Sequence, residues 1–185
     1  MNTLCIGERI EFGCGSIYSY RVQSSRDIEN TRRVRDIINI GAIAFGRSTK
    51  YGHITSTAFI VDGSRTHALM MHHRKLDFWL PPGGHCDGDN DVLRVARREA
   101  KEETGLSHLE LTSGEIFDID IHTIPANASE EEHLHFDIRF MFEADRSLPT
   151  LGNAESTSVA WIDIASLPSV TAMQSVLILK DKLEL

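Results

Sequence analysis

Nothing in this sequence reaches the roughly 18 consecutive apolar residues needed to span a bilayer. A charged start followed by an apolar stretch is also missing, so no secretion signal is legible. Cysteine is scarce: Cys5, Cys14 and Cys86 are the three among 185 residues, an odd number at no paired spacing. They read as free thiols in a reducing compartment, and a cytoplasmic location is expected. Positive charge is short as well, with 19 Lys and Arg against 27 Asp and Glu and a formal net charge of −8. No basic field exists to displace counterions from a nucleic acid polymer. The deficit does not exclude a phosphorylated small molecule, because a bound metal inverts the local sign. Such a protein should carry carboxylates where the metal binds.

What is present fits a protein able to bury a real core, with hydrophobic residues at 41% and charged residues at 25%. No internal repeat or low-complexity tract is visible. Gly7, Gly13 and Gly15 break any long period in residues 1–22. Ser24 and Ser25 are placed to cap a helix from about Asp27 toward Ile40, with Ile28, Val34, Ile37 and Ile38 as an uneven apolar stripe. Residues 46–52 resemble a hinge, which divides the chain into an N-terminal helical extension, 1–50, and a main domain, 51–185.

Within the main domain, residues 54–61 read as a buried strand and 68–71 as its hairpin partner. The stretch 80–84 holds two prolines and two glycines and is expected to be a sharp loop, neither helix nor strand. A helix over about 91–104 should stop at Gly105. Residues 116–124 alternate like a strand. So do 133–142, where Leu134, Phe136, Ile138, Phe140 and Phe142 share one face. A short strand at 158–162 and a closing helix at 170–183 follow. Elements intermixed in this way imply an α/β (α+β) fold, a sheet covered by helices.

The chemistry concentrates in Arg98-Glu99-Ala100-Lys101-Glu102-Glu103-Thr104-Gly105-Leu106. On a helix Glu99, Glu102 and Glu103 stand at i, i+3 and i+4 and share one face. Val92, Val95, Ala96 and Ala100 form the opposite, buried face. Three crowded carboxylates cost stability unless something positive lies among them, and Mg²⁺ binds carboxylates together with substrate phosphates. Arg98, four residues before Glu102, is placed to orient that carboxylate. A solvated helix face is the plain alternative, and the Pro-Pro-Gly-Gly loop directly before the helix outweighs it.

The segment from Gly84 to Leu106 resembles the Nudix box: Gly, five residues, Glu, seven residues, Arg-Glu, an apolar residue, any residue, Glu-Glu, any residue, Gly, apolar. Gly84, Arg98, Glu99, Ala100, Glu102, Glu103, Gly105 and Leu106 match it in register. Asn90 stands where the first glutamate belongs, with Asp87, Asp89 or Asp91 as partial substitutes and Asn90 itself a good N-cap. The likeness extends over about 54–183. It implies a mixed sheet sandwiched between helices. It also implies hydrolysis of a phosphoanhydride bond in a nucleoside diphosphate linked to another moiety, using Mg²⁺ or Mn²⁺. Metal ligands would be Glu99, Glu102, Glu103 and a loop carbonyl at Gly83. Arg98, Glu102 and Glu103 would be catalytic, the base being Glu102 or Glu103, with Glu155 and Glu130 to Glu132 as candidates outside the box. A phosphorylated small molecule is the expected partner, with no membrane or nucleic acid polymer, and a homodimer is left open.

Two other readings use the same fold. Isopentenyl diphosphate isomerases carry a Cys-Gly-His loop where this chain has Gly83-Gly84-His85. The catalytic cysteine is missing, and Cys86 lies on the wrong side of the histidine. A silent nucleotide sensor is the second, opposed by the complete Arg98-Glu99 and Glu102-Glu103 pairs. Nine histidines are many for this length. Similarity to the isomerases implies a second metal site on His53, His85, His133 and His135, suited to zinc, iron or nickel. Bonding of these histidines to phosphate or backbone is the alternative.

Overall fold

The computed structural model describes residues 17–127 and 130–184. Cys5, Cys14 and the glycines before Ile17 lie outside the described residues. The first helix, α1 (Ser25–Ile38), begins where the Ser24 hydroxyl accepts the Asp27 N–H at 3.1 Å. Val34, Ile37 and Ile38 are buried, but Ile28 is 61% exposed and lies outside the stripe expected for it. A 3-10 turn, Ala42–Phe45, leads into the sheet.

The strands are β1 (Gly52–Val61), β2 (His67–His73), β3 (Phe78–Leu80), β4 (Gly83–His85), β5 (Glu110–Leu111), β6 (Asp118–Ile124), β7 (His133–Glu143) and β8 (Ser156–Asp163). Helix α2 (Val92–Thr104) lies between β4 and β5, and α3 (Leu167–Val170) and α4 (Gln174–Leu183) close the chain. β1 is the spine. One edge runs parallel to β7 from Gly52 opposite Leu134 to Val61 opposite Glu143. The other edge pairs antiparallel with β4 at residues 55–57 and with β2 at Ile60 and Val61. β6 and β5 pair with β7, while β3 and β8 pair with β2.

Alternation along β1 and β7 assigns the two faces different work. Ile54, Ala58, Ile60, Phe136, Ile138, Phe140 and Phe142 form a core with α1 and α2. On the reverse face, Phe59, Val61 and Met70 pack beneath Leu167 of α3 and Val176 and Leu179 of α4. Helices therefore cover both sides of the mixed sheet, as expected. The first half of that reverse face is polar instead, carrying His53, Thr55 and Thr57 on β1 and His135, Asp137 and Arg139 on β7.

A buried ionic network occupies this polar half. Arg139 donates to Asp137 at 2.7 Å, to Asp118 at 3.1 Å and to Asp120 at 3.1 Å. Arg26 of α1 reaches Asp118 and Asp120 as well. Lys182 of α4 meets Asp27 at 2.9 Å and Asp118 at 2.8 Å. Residues before 51 are thereby joined to the sheet by buried charge, not only by the chain. No helix among the described residues is long and apolar enough to cross a membrane.

Three local expectations need correction. Gly83 and Gly84 belong to a strand, not a loop: the bend ends at Pro82, whose carbonyl accepts the Ala58 N–H at 2.9 Å, and β4 then pairs with β1. The closing helix is two helices, broken where Thr171 turns extended (φ −143°, ψ 141°). The alternation in 116–124 starts only at Asp118, since Ile116 joins the same core as Ile119.

Candidate active site

Helix α2 is fixed at both ends by sequence. Asp91, not Asn90, caps its start by accepting the Arg94 N–H at 3.0 Å. Gly105 ends it in the left-handed region (φ 71°), which glycine adopts without strain. Val92, Val95, Ala96 and Ala100 are buried, as their spacing predicts. The opposite face of α2 therefore turns its carboxylates onto β4.

The closeness of that approach explains the glycines. A Cβ on Gly84 would lie 2.8 Å from the Glu99 carboxyl carbon, and one on Gly83 would lie 2.6 Å from the Thr57 hydroxyl. A side chain at Gly84 would displace the Glu99 carboxylate, and one at Gly83 would also strike the β1 backbone, with the Ser56 carbonyl at 2.8 Å and the Thr57 Cα at 2.9 Å. Glu103 is only 4% exposed and accepts the Gly83 N–H at 2.8 Å. Burial chiefly, with the charges of Glu99, Glu155 and Glu102 adding to it, pushes its carboxyl up to about 8 against the pull of that hydrogen bond. Glu102 differs: its side chain is 61% exposed.

Arg98 acts elsewhere than the sequence suggested. Its guanidinium donates to Glu99 at 2.6 Å and to the His85 carbonyl at 3.1 Å, while Glu102 is 4.0 Å away. It orients Glu99 and ties α2 to β4. None of the aspartates offered as substitutes for the missing glutamate bonds to Arg98. Asp87 pairs with Arg47, Asp89 accepts from Arg94 at 2.6 Å, and Asp91 is the cap.

Asn90 itself is exposed. Its change to Glu should therefore leave the melting temperature and turnover close to wild type, with at most a modest gain in rate if the new carboxylate reaches Arg98. Thermal melts and steady-state kinetics check this, and a collapse of either would mean Asn90 has a specific role.

The four histidines singled out in the sequence do converge, and a fifth joins them. Ring centroids of His53 and His85 lie 5.0 Å apart, His53 and His135 4.9 Å, and His85 and His135 4.9 Å. His133 stacks on His53 at 5.0 Å, but its Nδ1 is engaged with the Glu131 carbonyl at 2.8 Å. His122 approaches His135 at 5.5 Å, with its Nδ1 bonded to Asp120 at 3.0 Å. Burial, then the neighbouring imidazoles, hold the conjugate acids of His53 and His135 well below the ordinary range. These rings are neutral at pH 7 and are poor anion binders. Cys86, by contrast, is 1% exposed, and burial raises its thiol to about 12, which removes it as a nucleophile.

A sequence model of the NUDIX domain matches residues 52–178. No curated protein sequence matches the chain. The fold is similar to the Escherichia coli dihydroneopterin triphosphate pyrophosphohydrolase, at 15% identity and TM-score 0.55 over 70% of this chain and 92% of that one. It is also similar to a Caenorhabditis elegans Ap4A hydrolase, at 16% identity and TM-score 0.52 over 71% and 94%. A NUDIX-family hydrolase from Clostridium perfringens shares 23% identity at TM-score 0.52 over 74% and 97%.

Proposed function

Because this chain belongs to the NUDIX domain family, whose members are hydrolases acting on pyrophosphate bonds, we propose that it cleaves a phosphoanhydride in a nucleoside diphosphate linked to another moiety. The carrying observation is the pair of carboxylates, Glu99 and Glu103, pressed by α2 against the side-chain-free strand Gly83-Gly84. Two acids held this way, one of them buried with its charge penalised, fit a small hard dication. Glu99, Glu103 and, at the rim, Glu102 would hold Mg²⁺ or Mn²⁺, with the Gly83 backbone alongside. Bound there, the ion would neutralise phosphate oxygens and make water a better acid.

The chain's own groups divide the remaining tasks. Arg98 fixes the orientation of Glu99 through a 2.6 Å hydrogen bond. The Gly83 N–H fixes Glu103. Glu102, exposed and free to pass a proton onward to solvent, is the acceptor for the proton of the attacking water. Glu155 contributes to the field on Glu103 and is the outside carboxylate nearest in effect. The isomerase reading has no support at Cys86, and a silent sensor would have no use for a buried carboxylate whose charge is penalised.

A panel of nucleoside triphosphates, dinucleoside polyphosphates, sugar nucleotides and coenzymes, assayed for phosphate release, tests the reading. At least one compound should turn over with Mg²⁺ or Mn²⁺ and stop when excess EDTA is added. Silence across the panel, or turnover indifferent to EDTA, would overturn it.

A further inference from the structure

The histidine cluster is not used by the box chemistry, and its wiring is unusual. His53, His85 and His135 reach one point from three different strands, β1, β4 and β7. One ring nitrogen from each lies within 4.8 Å of the other two. His53 is 3% exposed, and among the described residues neither of its ring nitrogens has a hydrogen-bond partner. The Nε2 of His135 is buried and likewise has none among the described residues. Polar atoms removed from water are nearly always bonded, so unpartnered nitrogens on both His53 and His135, in a group where one nitrogen from each of three rings converges, call for a shared ligand.

The chemistry of the donors narrows what that ligand is. A lone pair on neutral imidazole is a ligand for zinc, iron, nickel or copper. None of the three is a carboxylate, so the trio has little to offer magnesium or calcium. The neighbouring rings are already tethered through their Nδ1 atoms, His133 to the Glu131 carbonyl and His122 to Asp120. Such outer contacts fix tautomer and orientation around metal sites.

We propose that His53, His85 and His135 form a binding site for one transition-metal ion, distinct from the dication site at the box glutamates. His133, expected from the sequence as a fourth ligand, stacks on His53 at 5.0 Å instead and is not among the three whose ring nitrogens converge. The ion would join β1, β4 and β7 at the end of β4 next to Gly84, where Glu99 packs. This inference stands on the three histidines alone and does not depend on the hydrolase reading.

Metal-stripped full-length protein titrated with Co²⁺, and separately with Zn²⁺, tests it. One equivalent should bind tightly, with visible cobalt absorption characteristic of nitrogen ligation and a rise in melting temperature, any weaker equivalent at the box lacking that absorption. Since His53 is the most buried of the three, His85→Ala and His135→Gln are the informative variants. Each should weaken Zn²⁺ binding by more than the ~10–100-fold typical of losing an outer partner. Glu103→Gln should keep the full cobalt spectrum, which separates this site from the box. A wild-type cobalt spectrum without nitrogen ligation, or variants that bind Zn²⁺ as tightly as wild type, would overturn the proposal.

Discussion

Replacing Glu103 by Gln should lower turnover at moderate Mg²⁺ by at least ~100-fold and raise the Mg²⁺ concentration needed for half-maximal rate. Gln keeps the shape and can still accept the Gly83 N–H, but it removes the negative charge that faces the ion. Folding should survive. The charge on Glu103 is already penalised by burial, so the metal-free variant should melt no lower than metal-free wild type. Glu102→Gln should lose rate on the same scale for a different reason. Its exposed carboxylate would accept the proton of the attacking water, so kcat should fall, while the Mg²⁺ requirement should rise less than in Glu103→Gln because Glu102 would hold the ion only at the rim. Measuring kcat and the half-maximal Mg²⁺ concentration for both variants separates the two roles. Near-normal turnover in both would mean that the site has been misassigned.

How far these roles could be read from sequence follows from the range of each interaction. The spacing of Glu99, Glu102 and Glu103, the apolar face of α2 and its Gly105 stop are set within a few turns of one helix, and all are legible. The strand β4 was hidden because glycines read locally as a bend. They are there for distant reasons, to admit Thr57 on one side and Glu99 on the other. Helix spacing alone pairs Arg98 with Glu102, whereas the His85 carbonyl, 13 residues away, also accepts from its guanidinium beside Glu99. His122 and the ionic network depend on register between β6 and β7, which places His122 opposite His135, Asp120 opposite Asp137 and Asp118 opposite Arg139. A usable signal existed. Residues 118–124 and 133–142 both alternate and are separated by a short connection, which favours an antiparallel pair.

Arg139→Met should destabilise the protein by ~3–5 kcal/mol at pH 7, because removing one partner of a buried ion cluster leaves its opposite charges uncompensated. The three carboxylates around Arg139 are not equally exposed to this loss. Asp118 keeps Arg26 and Lys182, and Asp120 keeps Arg26 and His122. Among the described residues Asp137 keeps only the hydroxyls of Thr55 and Thr57 and becomes a buried charge without a cation there.

The pH dependence distinguishes this cause from simple loss of packing. Burial acts to raise the carboxyls of Asp118 and Asp120, yet Arg139 and Arg26 hold both below the usual carboxylate range. Groups with depressed folded pKa values contribute stability above their unfolded value, about 3.9, and lose it as pH falls toward the folded value. Wild type should therefore lose stability steeply below about pH 4. The variant, already lacking that contribution, should lose less, so the gap between the two should be widest near pH 7 and narrow as the acids protonate. Urea unfolding of both proteins between pH 7 and pH 3 measures the gap directly. A gap that stays constant over this range would assign the loss to packing around the Arg139 side chain, and one below ~1 kcal/mol at pH 7, against the several expected for a broken buried pair, would show that the network holds α1 and α4 to the sheet only weakly.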